Sequence, residues 1–370
     1  MVVNSNRPVA FVEDEALLDD VLKLAAAAGC ELERVPDVAS ARLRWSRAPM
    51  VVLDAAGAKS CADAGLSRRD MVVLISSDPP PADLFERGIQ VGAERVLGLP
   101  GAEPWLIDAL ADAAEGPASS TGKVLAVLGG RGGAGASVFA AAVGVTALRA
   151  GQNALLVDCD PMSGGLDLVL GAETEDGLRW PDMSLRGGRV AASSLHNALP
   201  GRTRGDARLT FLSGARQGIG PAPDAVAAIV EAGRRAGETV VCDVARELNA
   251  AACAAVDRAD LTVIVVPSEV RACISAKLLA ARLAERGVGA HLVVRGPSPG
   301  DLRAADVAAA VDLPLLVTMR PEPQLAESLE RGEFHLRPRG PLSSAARATL
   351  AELATMPSRG QPGPDLRAAS

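Results

Sequence analysis

Residues 129–137 read Gly129-Gly130-Arg131-Gly132-Gly133-Ala134-Gly135-Ala136-Ser137, directly after an apolar run over 124–128. A glycine-rich turn between a strand and a helix aims backbone N–H groups at phosphate, and its usual spacing is G-x-x-x-x-G-K-[ST]. Gly130, Gly135 and Ser137 satisfy that spacing, while Ala136 stands where the lysine that neutralises the β/γ oxygens belongs. The chain has four lysines, and the nearest, Lys123, begins the preceding strand. No neighbouring lysine fills the gap. Whether a nucleotide is held, and whether it is turned over, therefore hangs on this stretch.

Downstream, short continuous apolar runs at 154–157, 209–212, 239–242, 261–266, 291–294 and 315–317 predict strands buried on both faces, as in a parallel sheet. Helical stretches follow Ser137, Asp224, Val270, Asp301 and Glu322, with Gly151 and Gly287 placed to stop two of them. In such a sheet the ligand crevice lies at the carboxyl ends of the strands. Two of those ends carry acids: Val157-Asp158-Cys159-Asp160-Pro161 and Val240-Val241-Cys242-Asp243. A carboxylate after an apolar strand beside a phosphate loop commonly holds Mg²⁺ through water, with the loop Ser or Thr as direct ligand.

Upstream, strands at 9–12, 31–35, 51–53, 72–75 and 95–97 alternate with helical stretches, the first marked by Leu17, Val21, Leu22 and Leu24 and stopped by Gly29. Five βα units of this kind predict a small doubly wound sheet. Gly116-Pro117-Ala118-Ser119-Ser120-Thr121-Gly122 reads as a linker. The expected organisation is a first domain over 1–115, a linker over 116–122, a phosphate-loop domain over 123–356 and a disordered Gly/Pro/Ser-rich tail over 357–370.

At 370 residues the chain can bury two cores, and its net charge of −7 argues against nucleic acid as the main partner. The six cysteines form no C-x-x-C pair and no disulfide-framework spacing. The N-terminus has no basic region followed by an apolar core, and no run approaches the ~18 apolar residues of a membrane helix. A cytoplasmic chain without an integral membrane segment is expected.

Together the loop and the two acidic strand ends resemble the MinD/ParA class of deviant phosphate-loop ATPases. Its K-G-G-x-G-K-[ST] loop aligns with Arg131 through Ser137, its D-x-D-P segment with Asp158 to Pro161, and its L-D-x-x-L-G with Leu166 to Gly171. Late in the chain, Arg331-Gly332-Glu333 and Arg337 to Ser343 are similar to the pilus-assembly, CpaE-like branch, which also carries an N-terminal receiver-like domain. The nearest likeness is to the actinobacterial group associated with septum-site determination.

The resemblance implies an α/β fold with a receiver-like first domain, ATP and Mg²⁺ as ligands, and a homodimer that recruits division or pilus/secretion partners, at the membrane or septum through them. It implies a phosphate cradle of Gly130, Arg131, Gly132, Gly133, Ala134, Gly135, Ala136 and Ser137. Ser137, Asp243 and Asp158 fall at its metal positions and Asp160 where the attacking water is oriented. Arg131 stands for the lysine that reaches the partner's phosphates, although a forked guanidinium does not replace an ammonium atom for atom. The base-contacting V-N-R is replaced by Val294-Arg295-Gly296-Pro297. Losing the loop lysine damages turnover more than occupancy, because the cradle alone still binds anions. The competing expectation is a nucleotide-independent scaffold acting through protein contacts.

In the first domain Asp54 ends the third strand as a receiver's phosphoacceptor does, with Glu13 and Asp14 as the acidic pair and Ser76 or Ser77 as the hydroxyl. Leu99 takes the place of the receiver's lysine, so a pseudo-receiver is expected. His196, His291 and His335 are too scattered for a zinc site. Arg202, Arg204 and Arg208, with Arg186 and Arg189, read as a solvated basic loop. The helix over 343–356 has one basic residue, Arg347, and lacks the charge for membrane attachment.

Overall fold

A computed structural model describes residues 7–115, 122–183, 190–214, 216, 220–297 and 300–358. The chain divides into two compact units, Met1–Ala118 and Ser119–Ser370. The expected linker, apart from Gly122, lies outside the described residues, as do Arg186, Arg189 and the tail from 359 onward.

The first unit is built on β1 (Val9–Phe11), β2 (Glu33–Arg34), β3 (Val51–Leu53), β4 (Val72–Ser77) and β5 (Arg95–Leu99). All are parallel, in the order β2-β1-β3-β4-β5. Strand order reverses at β1 and β3, so their carboxyl ends form the switch point where such folds place a site. Each sheet face is covered by helices over its own apolar cluster: Leu18, Val21, Leu106 and Leu110 on one side, Trp45, Ala58, Cys61 and Leu84 on the other.

The second unit carries β6 (Lys123–Gly129), β7 (Ala154–Cys159), β8 (Gly201–Arg204), β9 (Ala207–Leu212), β10 (Thr239–Val244), β11 (Leu261–Pro267), β12 (His291–Arg295) and β13 (Leu315–Met319). Their order is β13-β12-β11-β6-β10-β7-β9-β8, parallel throughout except for the antiparallel β8–β9 edge. The central strand β6 lies between β10 and β11, which are wholly buried or nearly so, as their unbroken apolar runs demand. The strand β8 has no apolar residue in Gly201-Arg202-Thr203-Arg204 and escapes a hydrophobicity reading. Arg202, Arg204 and Arg208 therefore sit on an edge hairpin rather than in a free loop. Arg202 donates to the Leu170 carbonyl at 2.6 Å. Charge on an exposed edge also discourages further strand addition.

The last helix, Pro341–Thr355, packs its Leu342, Ala345, Ala346 and Leu353 into the cluster beneath β6 and β10. Lys123 Nζ donates to the Met356 carbonyl at 2.6 Å and to Ser358 Oγ at 2.8 Å. The lysine nearest the glycine loop in sequence is thus spent at the opposite end of β6, anchoring the start of the segment read as a tail. Among the described residues no helix is long and apolar enough to cross a membrane.

Candidate phosphate-binding site

The loop leaves β6 at Gly129 and enters a helix over Ala136–Arg149. Gly133 and Gly135 adopt φ of +69° and +96°, a region that L side chains avoid. Gly130 donates its N–H to the Val265 carbonyl at 2.9 Å, and a Cβ there would meet Val266 and Ala276 at 3.0 and 3.1 Å. These positions need glycine for conformation and for close approach. No side chain caps the helix, so the first-turn N–H groups at Ala136, Ser137 and Val138 have no helical acceptor, and these three residues line the loop's concavity. That concavity is a cavity of about 300 Å³ lined by the loop, Asp160, Asp243, Arg246 and Glu247.

The acids enter from the two strands beside β6. Parallel register sets Asp243 of β10 level with Asp158 of β7. Both are buried, and desolvation raises the pKa of each above the usual carboxylate range. Asp158 is relieved by its partners: it accepts from Ser163 Oγ at 2.6 Å, Gly214 N at 3.0 Å and Asp160 N at 3.2 Å. It does not line the loop cavity. Asp243 is pushed up to about 8, by burial first and then by the Asp158 charge, with the Ser137 hydroxyl working against the rise. Its Oδ2 atom is buried without a hydrogen-bond partner. A Ser hydroxyl and an unsatisfied carboxylate beside a glycine cradle are hard oxygen donors that fit Mg²⁺ together with a phosphate. Of the metal positions expected from sequence, Ser137 and Asp243 face the cavity and Asp158 supports the turn behind them.

Asp160 lines the cavity while its Oδ1 takes the Met162 N–H at 2.9 Å. Arg131 folds back on its own chain: Nη2 meets Glu269 Oε1 at 2.9 Å and Nη1 donates to the Gly132 carbonyl at 2.8 Å. Arg246 and Glu247, both lining the cavity, were not singled out from sequence. Their signal was their place just past the carboxyl end of β10. Asp167, at the aspartate of the L-D-x-x-L-G match, is fully buried and held by Arg179 and Arg216, each at 3.3 Å, and by Ser213 Oγ at 3.0 Å. A Cβ on the following Gly171 would lie 1.7 Å from the Gly332 carbonyl oxygen, so the L-D-x-x-L-G match packs directly against the Arg331-Gly332-Glu333 segment.

At the switch point of the first unit, Asp54 is also buried. Its Oδ2 accepts the backbone N–H groups of Glu13 at 2.8 Å and Asp14 at 2.9 Å, and its Oδ1 that of Gly57 at 2.7 Å. Asp14 in turn caps its own helix through Ala16 and Leu17. The acidic pair expected here thus meets Asp54 through main-chain donors. A Cβ on Gly57 would lie 2.3 Å from the Phe11 carbonyl oxygen. Asp54 acts as a helix cap and a clasp on the β1 loop.

The eight-stranded, mostly parallel sheet with a glycine loop after its central strand resembles the fold of the MinD/ParA P-loop proteins. The ParA family ATPase of Chlorobium tepidum TLS shares this fold, with a TM-score of 0.55 and 16% identity, across 63% of this chain and 99% of that one. MinD of Pyrococcus horikoshii OT3, solved with Mg-ADP, gives 0.52 and 19% across 63% and 96%. Residues 11–121 match the family model described as the Rv3660c-like, CheY-like N-terminal domain. The uncharacterized protein Rv3660c of Mycobacterium tuberculosis is 46% identical over 346 residues, covering 93% of this chain and 97% of that protein. The chain belongs to the Rv3660c-like family.

Proposed function

We propose that this chain is a nucleotide-binding regulator that holds Mg·ATP with little turnover, and that its nucleotide state governs homodimerisation and the recruitment of protein partners in septum placement or in pilus or secretion assembly. The observation that carries the reading is Asp243: a buried carboxyl, raised to about 8, with an unpartnered oxygen beside Ser137 and a glycine cradle. A divalent cation in that place relieves the burial penalty, and the loop and first-turn N–H groups receive the phosphates. Bound Mg²⁺ would supply charge neutralisation at the phosphate oxygens. Of the chain's own residues, Ser137 and Asp243 would hold the cation and Asp160 would orient water, while Asp158 holds the turn after β7 in place.

Low turnover follows from Ala136, because cations at a transferring phosphoryl group contribute orders of magnitude in rate. Arg131 reaches a partner's phosphates only after leaving Glu269, an exchange of one charge pair for another. The Arg131–Glu269 pair also favours a second reading, a nucleotide-independent scaffold in which the loop survives for its turn. The role in septum or pilus placement rests on likeness of fold and family. Titration calorimetry with ATP and Mg²⁺ separates the two readings. Heat that saturates and disappears without Mg²⁺ supports the regulator, whereas no binding at millimolar ATP leaves the scaffold.

A further inference from the structure

Arg131, Arg246 and Arg295 stand around the loop with their positions set by different strands, and a fourth arginine, the exposed Arg320, lines a cavity with it. Arg131 is paired with Glu269 at 2.9 Å, and Arg246, past β10, faces Glu247 at 3.8 Å. Arg295, the last residue of β12, is different. Among the described residues its guanidinium has no hydrogen-bond or ion-pair partner, yet it is half-buried and lies against the loop: a Cβ built on Gly135 would sit 3.2 Å from Arg295 Nη1. Gly135 immediately precedes Ala136. The strand β12 is two places from β6, and its carboxyl end brings this side chain to the loop on the side away from Asp243. There Arg295 and the loop line a second cavity of about 430 Å³ with Arg320 and Glu322. Glu322 takes the Leu342 N–H at 3.1 Å and faces Arg337 at 3.9 Å, so it does not hold Arg295.

We propose that Arg295 is the phosphate-binding cation of this loop, supplying from the end of β12 the charge that Ala136 does not. A half-buried guanidinium without an acid is costly to keep, and a polyphosphate anion satisfies it with paired N–H donors. The assignment rests on the nucleotide reading above and adds a residue to it. An arginine in this place binds phosphate without occupying the position from which a loop lysine bridges the β/γ oxygens, which fits retention of ligand with slow turnover.

The test is calorimetry on the full chain with Mg·ATP and, separately, with inorganic tripolyphosphate. Arg295→Ala is expected to weaken both ligands by about tenfold to a hundredfold, the worth of a charge-assisted hydrogen bond. Arg295→Lys, which keeps the charge and guards against a folding artefact, is expected to recover most of that loss. Ala136→Lys added to Arg295→Ala restores binding. An Arg295→Ala chain that binds ATP within about twofold of the parent overturns Arg295 and leaves the nucleotide reading standing. Loss for ATP but not for tripolyphosphate also overturns it, because the contact is then to base or sugar. A parent chain that binds neither ligand overturns both.

Discussion

Replacing Asp243 by asparagine removes the charge and keeps the shape. Burial and Asp158 push the Asp243 carboxyl up to about 8 in the folded chain, against an ordinary value of 3.8. Between those values the native state retains a proton that the unfolded chain has released. Stability therefore falls as pH rises through the window and is recovered below about pH 4. A gap of about four pH units sets a ceiling of ~5–6 kcal/mol, which local relaxation and water entry reduce to on the order of 2–3 kcal/mol. Asp243→Asn avoids that penalty. It is expected to melt roughly 5–10 °C above the parent near pH 8, with the difference shrinking toward pH 5. Mg²⁺ with ATP is expected to raise the melting temperature of the parent near pH 8 and to leave the variant unmoved. The assay is thermal unfolding by circular dichroism across the pH series, with and without ligand. A variant less stable than the parent at pH 8, or a difference independent of pH, refutes the reasoning, because the carboxylate would then be making a stabilising contact.

Further expectations concern the loop and the first unit. Ala136→Lys should raise ATP hydrolysis by at least about tenfold in a phosphate-release assay, the worth of one added transition-state contact; a flat rate means that more than the lysine has been lost. Asp54→Ala removes the acceptor of three main-chain N–H groups and should cost the first unit about 2–4 kcal/mol in denaturant unfolding. Acetyl phosphate labelling that depends on Asp54 would contradict its role as a cap. Gly57→Ala drives a methyl group into the Phe11 carbonyl and should destabilise that unit by about 2–3 kcal/mol, whereas an unchanged unfolding midpoint would mean that the helix start can retreat.

The parallel sheets, the glycine loop and the acidic strand ends were legible in the chain because each is written locally. Unbroken apolar runs mark strands buried on both faces, and glycine marks backbone that no other residue adopts, as at Gly133 and Gly135. Elements without a local hydrophobic signal escaped: the arginine-bearing strand β8 and the short alanine-rich helix Ala250–Val256, which Asn249 starts by capping Ala252. The site divides along the same line. Its residue types come from the linear sequence, but their state comes from neighbours far away in the chain. Burial raises the Asp243 carboxyl, and the register between β7 and β10 adds to the rise by setting Asp158 beside it. Packing turns Arg131 toward Glu269, gives Asp54 main-chain donors in place of the acidic side chains of Glu13 and Asp14, and carries Arg295 to Gly135 from 160 residues further along. Sequence alone determined that a glycine loop with phosphate-loop spacing follows an apolar strand and lacks its lysine; that this strand is central came from the sheet order. Only the tertiary structure decided which charges face that loop, since burial and pairing depend on residues that periodicity cannot bring together.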